Sequence, residues 1–267
     1  MERTVRADAS APAPQPLLDG IPSQRGPVGS ATVTPRPAAV VPSEAPRVRA
    51  RRVPRPWRLS PTPAGTPFTF AYVAVLAVTS LVATHAGPAL VHALYQASST
   101  DVVHLVRTPV LVLVGSALWI AGGVLSPYAI GLLVVLTALE RRIGGARTAA
   151  VFLLGHVLAT LATEVPVGLA VLVGHLPETS LHRLDYGVSF GVATSVGALA
   201  GLLTPWLRWP LLAAVGWTLV SDLLAFTDPM TNWGHLISLG IGVAVWPLVR
   251  RWRDARAAEA ALVPGPV

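Results

Sequence analysis

The sequence predicts an all-α, polytopic membrane protein: a bundle of six transmembrane helices preceded by a disordered tail. Three observations carry that expectation. Hydrophobic residues make up 52% of the 267 and charged residues only 12%, with a mean hydropathy of +0.59, where soluble domains carry about a quarter charged residues. From Phe68 onward, apolar runs of roughly 17 to 25 residues recur, each long enough for a hydrocarbon core of about 30 Å. Arginine, which replaces lysine entirely, is concentrated in alternate connecting segments.

Residues 1–62 are rich in Ala, Pro and Arg and show neither helical nor strand periodicity. Prolines such as Pro12, Pro14, Pro35, Pro37, Pro42, Pro54 and Pro56 forbid a continuous helix there. The segment reads as a disordered cytoplasmic tail with linker behaviour, and no apolar core follows the first charges closely enough for a secretory signal. Residues 63–250 form the membrane domain, with spans at roughly 68–90, 113–138, 149–173, 187–203, 207–226 and 233–249. Residues 251–267 are a short cytoplasmic C-terminal tail.

Orientation follows from the arginines. Arg47, Arg49, Arg51, Arg52, Arg55 and Arg58 precede the first span, Arg141, Arg142 and Arg147 lie between the second and third, Arg208 between the fourth and fifth, and Arg250, Arg251, Arg253 and Arg256 after the sixth. The alternate loops hold Arg107 and Arg183 alone. Positive charge stays on the cytoplasmic side, so both termini are expected there, in a bacterial-type plasma membrane.

Several function classes drop out. The absence of cysteine removes disulfides and thiolate metal sites. His85, His92, His104, His175 and His182 lack tight ligand spacing and read as solvated or interfacial, so neither a metal nor a cofactor is expected. No phosphate loop or dinucleotide glycine signature occurs, and no basic-aromatic platform suits nucleic acid. The partners left are the lipid bilayer and a transmembrane protein, as substrate or client; the sequence is silent on oligomeric state.

The stretch "DYGVSFG", Asp185 to Gly191, places a serine just inside the fourth span. That span enters from the outer face, so Ser189 lies about 6 Å below its outer end at 1.5 Å per residue. His235, in "DPMTNWGHLISLGIG", lies at most about 10 Å below the outer end of the sixth span. Each sits in a ladder of small residues, Gly187, Gly191 and Ser195 on one helix and Gly234, Ser238 and Gly242 on the other, whose four-residue spacing favours close helix approach. An imidazole in reach of the hydroxyl takes its proton during attack on a carbonyl, and free amides at a helix start face the developing oxyanion. The same residues also serve plain helix packing, and both readings stand at this point.

At these residues the sequence resembles the rhomboid family of intramembrane serine proteases, over roughly Asp101 to Val249. "GVS" at Gly187 to Ser189 is similar to the family's G-x-S with its nucleophilic serine, "GHLISLGIG" to the segment carrying the histidine base, and "ERRIG", Glu140 to Gly144, to the family's glutamate-basic-x-x-glycine signature. The resemblance implies a six-helix rhomboid-like bundle with Ser189 as nucleophile and His235 as base, and an outer loop over Asp101 to Trp119, where Trp119 and Arg107 would anchor at the interface. It departs from the family at Phe190, where glycine is usual, and in the second span, which carries neither the usual histidine nor asparagine. Counting about three turns back from Glu140 reaches Tyr128, whose hydroxyl is a candidate oxyanion donor. Asp222, near the outer end of the fifth span, is a candidate third member beside His235 or a side chain that reaches the surface.

His156, Thr160 and Glu164 form a polar stripe at i, i+4 and i+8 on the third span. It reads as an interhelical hydrogen-bond seam with Glu164 protonated, or as a proton or ion path. Three functions follow in order: a rhomboid-like protease cutting a transmembrane substrate near its outer end, an inactive rhomboid-like protein binding membrane clients, and a small transporter.

Overall fold

The computed structural model describes residues 60–123 and 126–262, all within the compact unit Arg52–Val267. The expected tail over residues 1–59 lies outside the described residues. Every regular element within them is helical. Prolines at the first turn and polar caps set many of the starts. Helix α1 (Pro67–His85) is followed by α2 (Pro88–Ala97), α3 (Val102–Arg107), whose cap Asp101 accepts from the His104 amide at 3.0 Å, and α4 (Pro109–Ser116). Helix α5 (Pro127–Ile143) starts at Ser126, which accepts from the Ala129 amide at 3.2 Å, and ends at Gly144. There φ is +89°, a conformation that favours glycine. Helix α6 (Gly145–Leu172) is the longest at 28 residues. A 3-10 turn at Glu178–His182 leads to α7 (Ser189–Ala200), α8 (Pro205–Leu224), α9 (Pro229–Ala244) and α10 (Trp246–Leu262), the last bent 48° from α9.

Two helices, α1 and α6, are long and apolar enough to cross a membrane, or three if the bent α9–α10 pair is one span. The expected run 113–138 is not one helix. It breaks between Ser116 and Pro127, where Gly122 and Gly123 both take positive φ, and apolar composition alone hides such a break. The first expected span likewise ends at His85, before α2, and residues 251–262 of the expected C-terminal tail continue α10.

Helix α7 is the centre of the bundle. Every residue from Phe190 to Ala200 is buried, and the helix packs against α5, α6, α8 and α9. Twelve residues rise only about 18 Å, short of a full hydrocarbon core, so its end carbonyls stop inside the fold. Arginines meet them: Arg208 Nε donates to Ala200 O at 2.9 Å and Arg208 Nη2 to Leu203 O at 2.8 Å, while Arg250 Nε donates to Gly201 O at 3.0 Å. A cation near a helix C-terminus also complements the dipole. Small residues line the α7–α9 contact, while large apolar side chains including Trp206, Trp217 and Leu224 face outward. That arrangement suits a lipid solvent, in which close packing rather than hydrophobic exclusion from water joins helices.

The closest backbone-to-backbone approach at a glycine is between α7 and α9. A Cβ added at Gly197 would lie 2.5 Å from Leu239 O, and one at Gly242 would lie 2.2 Å from Thr194 O. The Thr194 hydroxyl donates to Ser238 O at 2.9 Å across this seam. Of the expected packing residues, Ser238 and Gly242 therefore line the contact. Gly191 and Gly234 do not bring backbones together: a Cβ at Gly191 would meet the Phe152 ring at 2.4 Å, and one at Gly234 the Phe190 ring at 2.4 Å. Both hollows are filled by aromatic rings. Ser195 donates to Gly191 O within its own helix at 2.8 Å.

Candidate functional site

The segment entering α7 is fastened before it reaches Ser189. The Thr100 amide donates to Asp185 O at 2.8 Å and the Asp185 amide to Ser99 Oγ at 3.1 Å. Gly187, at φ +131°, donates its amide to Ser116 O at 3.0 Å, and Val188 donates to Trp119 O at 3.1 Å. The Gly187 amide is thus spent on structure. The amides of Ser189 and Phe190, in the first turn of α7, have no hydrogen-bond partner among the described residues, as expected for an uncapped helix start.

Ser189 is half-buried as the first residue of α7, and it borders a small cavity with His156, Thr160 and Asp185. His235 lies one and a half turns into α9 and is buried. Its ring stacks on Tyr128 at 5.1 Å between centroids and meets Phe190 edge-on at 5.4 Å. Nδ1 is within 3.3 Å of the Tyr128 hydroxyl, while Nε2 is buried without a partner. Among the described residues no hydrogen bond joins Ser189 to His235, and the Ser189 hydroxyl makes none at all. The two side chains sit on the helices that pack most closely in the bundle, and Phe190 fills the hollow over Gly234 between them.

The structure thus puts Tyr128 beside the histidine. Asp222 makes no hydrogen bond to the imidazole: its side chain is exposed, as in the reading in which it reaches the surface, and its backbone carbonyl accepts from Asn232 Nδ2 at 2.9 Å. Tyr128 occupies the position beside the imidazole that an acid takes in a triad.

The polar stripe on α6 joins neighbouring elements. His156 Nε2 lies 3.0 Å from Ser116 Oγ and 3.1 Å from Leu113 O. Glu164, expected in an interhelical hydrogen-bond seam, accepts a hydrogen bond from Arg183 Nη2, a charge-assisted contact. His156 Nδ1, Thr160 Oγ1 and Glu164 Oε2 remain buried without partners. Arg183 itself was not singled out by sequence. The available signal was an arginine on the arginine-poor side, near a helix that buries a carboxylate. Burial lowers the Arg183 pKa and raises that of Asp185. The carboxylates of Asp185, Glu164 and Asp228 overcome the first effect and leave the guanidinium above its ordinary value, whereas Arg183 only moderates the second.

One further expectation is corrected. Trp119 is not at an interface: it is buried, donating to Ser98 Oγ at 2.8 Å and lying edge-on to Tyr95. Glu140 is buried and caps α1, accepting from the Phe68 amide at 2.9 Å and from the Thr69 amide and hydroxyl at 2.7 and 2.6 Å. A carboxylate on the first amides of a helix satisfies orphan donors and the dipole together.

Among the described residues no group of three His, Asp or Glu side chains is arranged to hold a metal. Neither a curated protein nor a solved structure matches the chain. The family model described as "Rhomboid-like protein" matches residues 64–255. That range covers every helix from α1 to α9 and most of α10. With its apolar helices it marks an integral membrane protein, and the chain belongs to the rhomboid-like family.

Proposed function

We propose that this rhomboid-like protein is an intramembrane serine protease, with Ser189 as nucleophile, His235 as base, six membrane spans and both termini in the cytoplasm. One observation carries the reading: the two atoms that the chemistry would join are both without a hydrogen-bond partner among the described residues. His235 spends Nδ1 on Tyr128 and keeps Nε2 buried without a partner, and the Ser189 hydroxyl has none. A buried polar atom without a partner is uncommon and asks for an explanation.

In the first step Ser189 Oγ attacks a substrate carbonyl and its proton passes to His235 Nε2. The imidazolium then gives that proton to the leaving amine as the peptide bond breaks. Water, deprotonated by the same nitrogen, releases the acyl group and restores the serine. The unpartnered Ser189 and Phe190 amides support the oxyanion. A substrate helix must unwind near its outer end first, because a continuous helix keeps its carbonyls in its own hydrogen bonds. Without the usual side-chain donors of the second span, turnover is expected to be lower by about 10² to 10³ than with them.

A second reading, a client-binding protein that does not cut, is favoured by Phe190, whose ring lies against His235 where the family usually has glycine. Reconstitution with a single-span reporter, destabilised by Gly-Pro near its outer end, decides between them. The protease reading expects a fragment of defined mass from wild type and none from Ser189→Ala or His235→Ala. A reporter that stays bound and uncut by all three proteins favours the second.

A further inference from the structure

We infer that Arg183 is a positioning residue whose forked guanidinium holds the segment entering Ser189 in register with the helix start that carries His235. The inference rests on the reading of these two residues as nucleophile and base. One side of the fork, Nη2, donates to Glu164 on α6 and lies 3.7 Å from Asp185 Oδ2. The other, Nη1, donates to Thr231 Oγ1 at 3.1 Å and lies 3.5 Å from Asp228 Oδ1. Asp185 stands four residues before Ser189, and Asp228 is the cap of α9, accepting from the Thr231 amide at 3.2 Å seven residues before His235. Four carboxylate and hydroxyl groups from three elements therefore converge on one cation.

The register needs such a link. The backbone seam between α7 and α9 lies deeper, at Thr194 and Gly197 against Ser238 and Gly242. At the level of the candidate pair the helices are separated by the Phe190 ring. The segment into Ser189 is already fixed to the Ser99–Thr100 and Ser116–Trp119 backbones, and α9 has no polar contact with those residues among the described ones. Glu164 makes a firm anchor, being almost fully buried on the long helix α6. Removing the guanidinium leaves three carboxylates facing one another, two of them buried, and that repulsion drives the elements apart. Lysine is a poor substitute, since a single ammonium lacks the two-sided fork that reaches both partners at once.

The chain lacks cysteine, so spin labels at Leu184→Cys and Trp233→Cys, both exposed, report the distance across the link directly. Labelling of Ser189 by a fluorophosphonate reports its chemical effect. Arg183→Gln is expected to broaden the distance distribution and slow labelling by about tenfold or more while helical content stays unchanged. Arg183→Lys is expected to fall between Arg183→Gln and wild type in both. If Arg183→Gln does not fold, Arg183→Lys carries the test alone, with broadened distances expected. A narrow distribution like that of wild type in the variants, or labelling that holds its rate while the distances broaden, overturns the inference. Should wild type itself refuse the probe, the protease reading fails, and the spin-label distances still decide whether Arg183 sets the register.

Discussion

Adding one methyl group at Gly242 should loosen the seam on which the whole site depends. A Cβ there would sit 2.2 Å from Thr194 O and 2.8 Å from Gly197 Cα. Both obstacles are backbone, so no side chain can swing away. Restoring an ordinary contact of about 3.4 Å requires the helices to part by about 1.2 Å, and a gap of that size forfeits roughly half of each dispersion contact along the seam. It also stretches the Thr194 to Ser238 O hydrogen bond, now 2.9 Å, beyond useful length. Overpacking costs about 1–3 kcal/mol and the hydrogen bond about 1 kcal/mol, offset by nearly 1 kcal/mol of helix propensity gained over glycine. The net expectation for Gly242→Ala is a loss of about 1–3 kcal/mol. Gly240, two residues earlier on the same helix, is exposed with nothing within 4 Å of its added Cβ, so Gly240→Ala should be neutral or slightly stabilising. Reversible unfolding in mixed dodecyl sulfate and neutral detergent micelles, followed by tryptophan fluorescence, measures both. Equal stability of the two variants would refute the packing argument.

Three other substitutions probe separate parts of the structure. Tyr128→Phe keeps the stack on His235 and removes the hydroxyl at Nδ1; a neutral hydrogen bond contributes about 0.5–1.5 kcal/mol, so fluorophosphonate labelling should slow by roughly 2- to 12-fold, with a stability loss of no more than about 1–2 kcal/mol. Glu140→Gln weakens the charged cap on α1 and should cost about 1–2 kcal/mol, seen as faster amide exchange at Phe68 and Thr69. Arg208→Gln frees the carbonyls of Ala200 and Leu203, and exchange in the last turn of α7 should rise while the amides near Ser189 hold their protection.

Much of the fold was legible because lipid makes helix contacts depend on small residues. Gly242 and Ser238 could be read as an interface from spacing alone, and they line the α7–α9 seam. The partner positions on α7 were misread by about one turn. Gly191 looked like an equal candidate, but Phe152 fills its hollow, and the contact falls on Thr194 and Gly197 instead. Which small residue meets backbone and which meets a ring is decided by helix rotation, and the interior small residues surround α7 on all sides. The break before α5 was missed because hydropathy treats "GSALWIAGGVLSPY" as continuous, although the paired Gly122 and Gly123 and the Ser126–Pro127 start signal mark it.

At the candidate site, the places of Ser189 at the start of α7 and His235 early in α9 follow from counting residues along each helix. The neighbours of the imidazole do not. Tyr128 was found by counting turns from Glu140, yet its contact is with His235 and not with a free oxyanion pocket. The pairing of Glu164 with Arg183, nineteen residues away, spans a loop whose path no local pattern specifies. Phe190, read only as a missing glycine, packs against the imidazole and over Gly234.

The account stands on the partnership of one hydroxyl and one imidazole, and a fluorophosphonate probe reads that partnership without any knowledge of the substrate. Purified protein in neutral detergent is treated with the probe, and the modified peptide is located by mass spectrometry in wild type, Ser189→Ala, His235→Ala and His156→Ala. The expected result is an adduct on Ser189 in wild type and His156→Ala, and none in the other two. An adduct that persists in His235→Ala but disappears in His156→Ala would move the base to α6, and no adduct on Ser189 in any folded variant would contradict the protease reading outright.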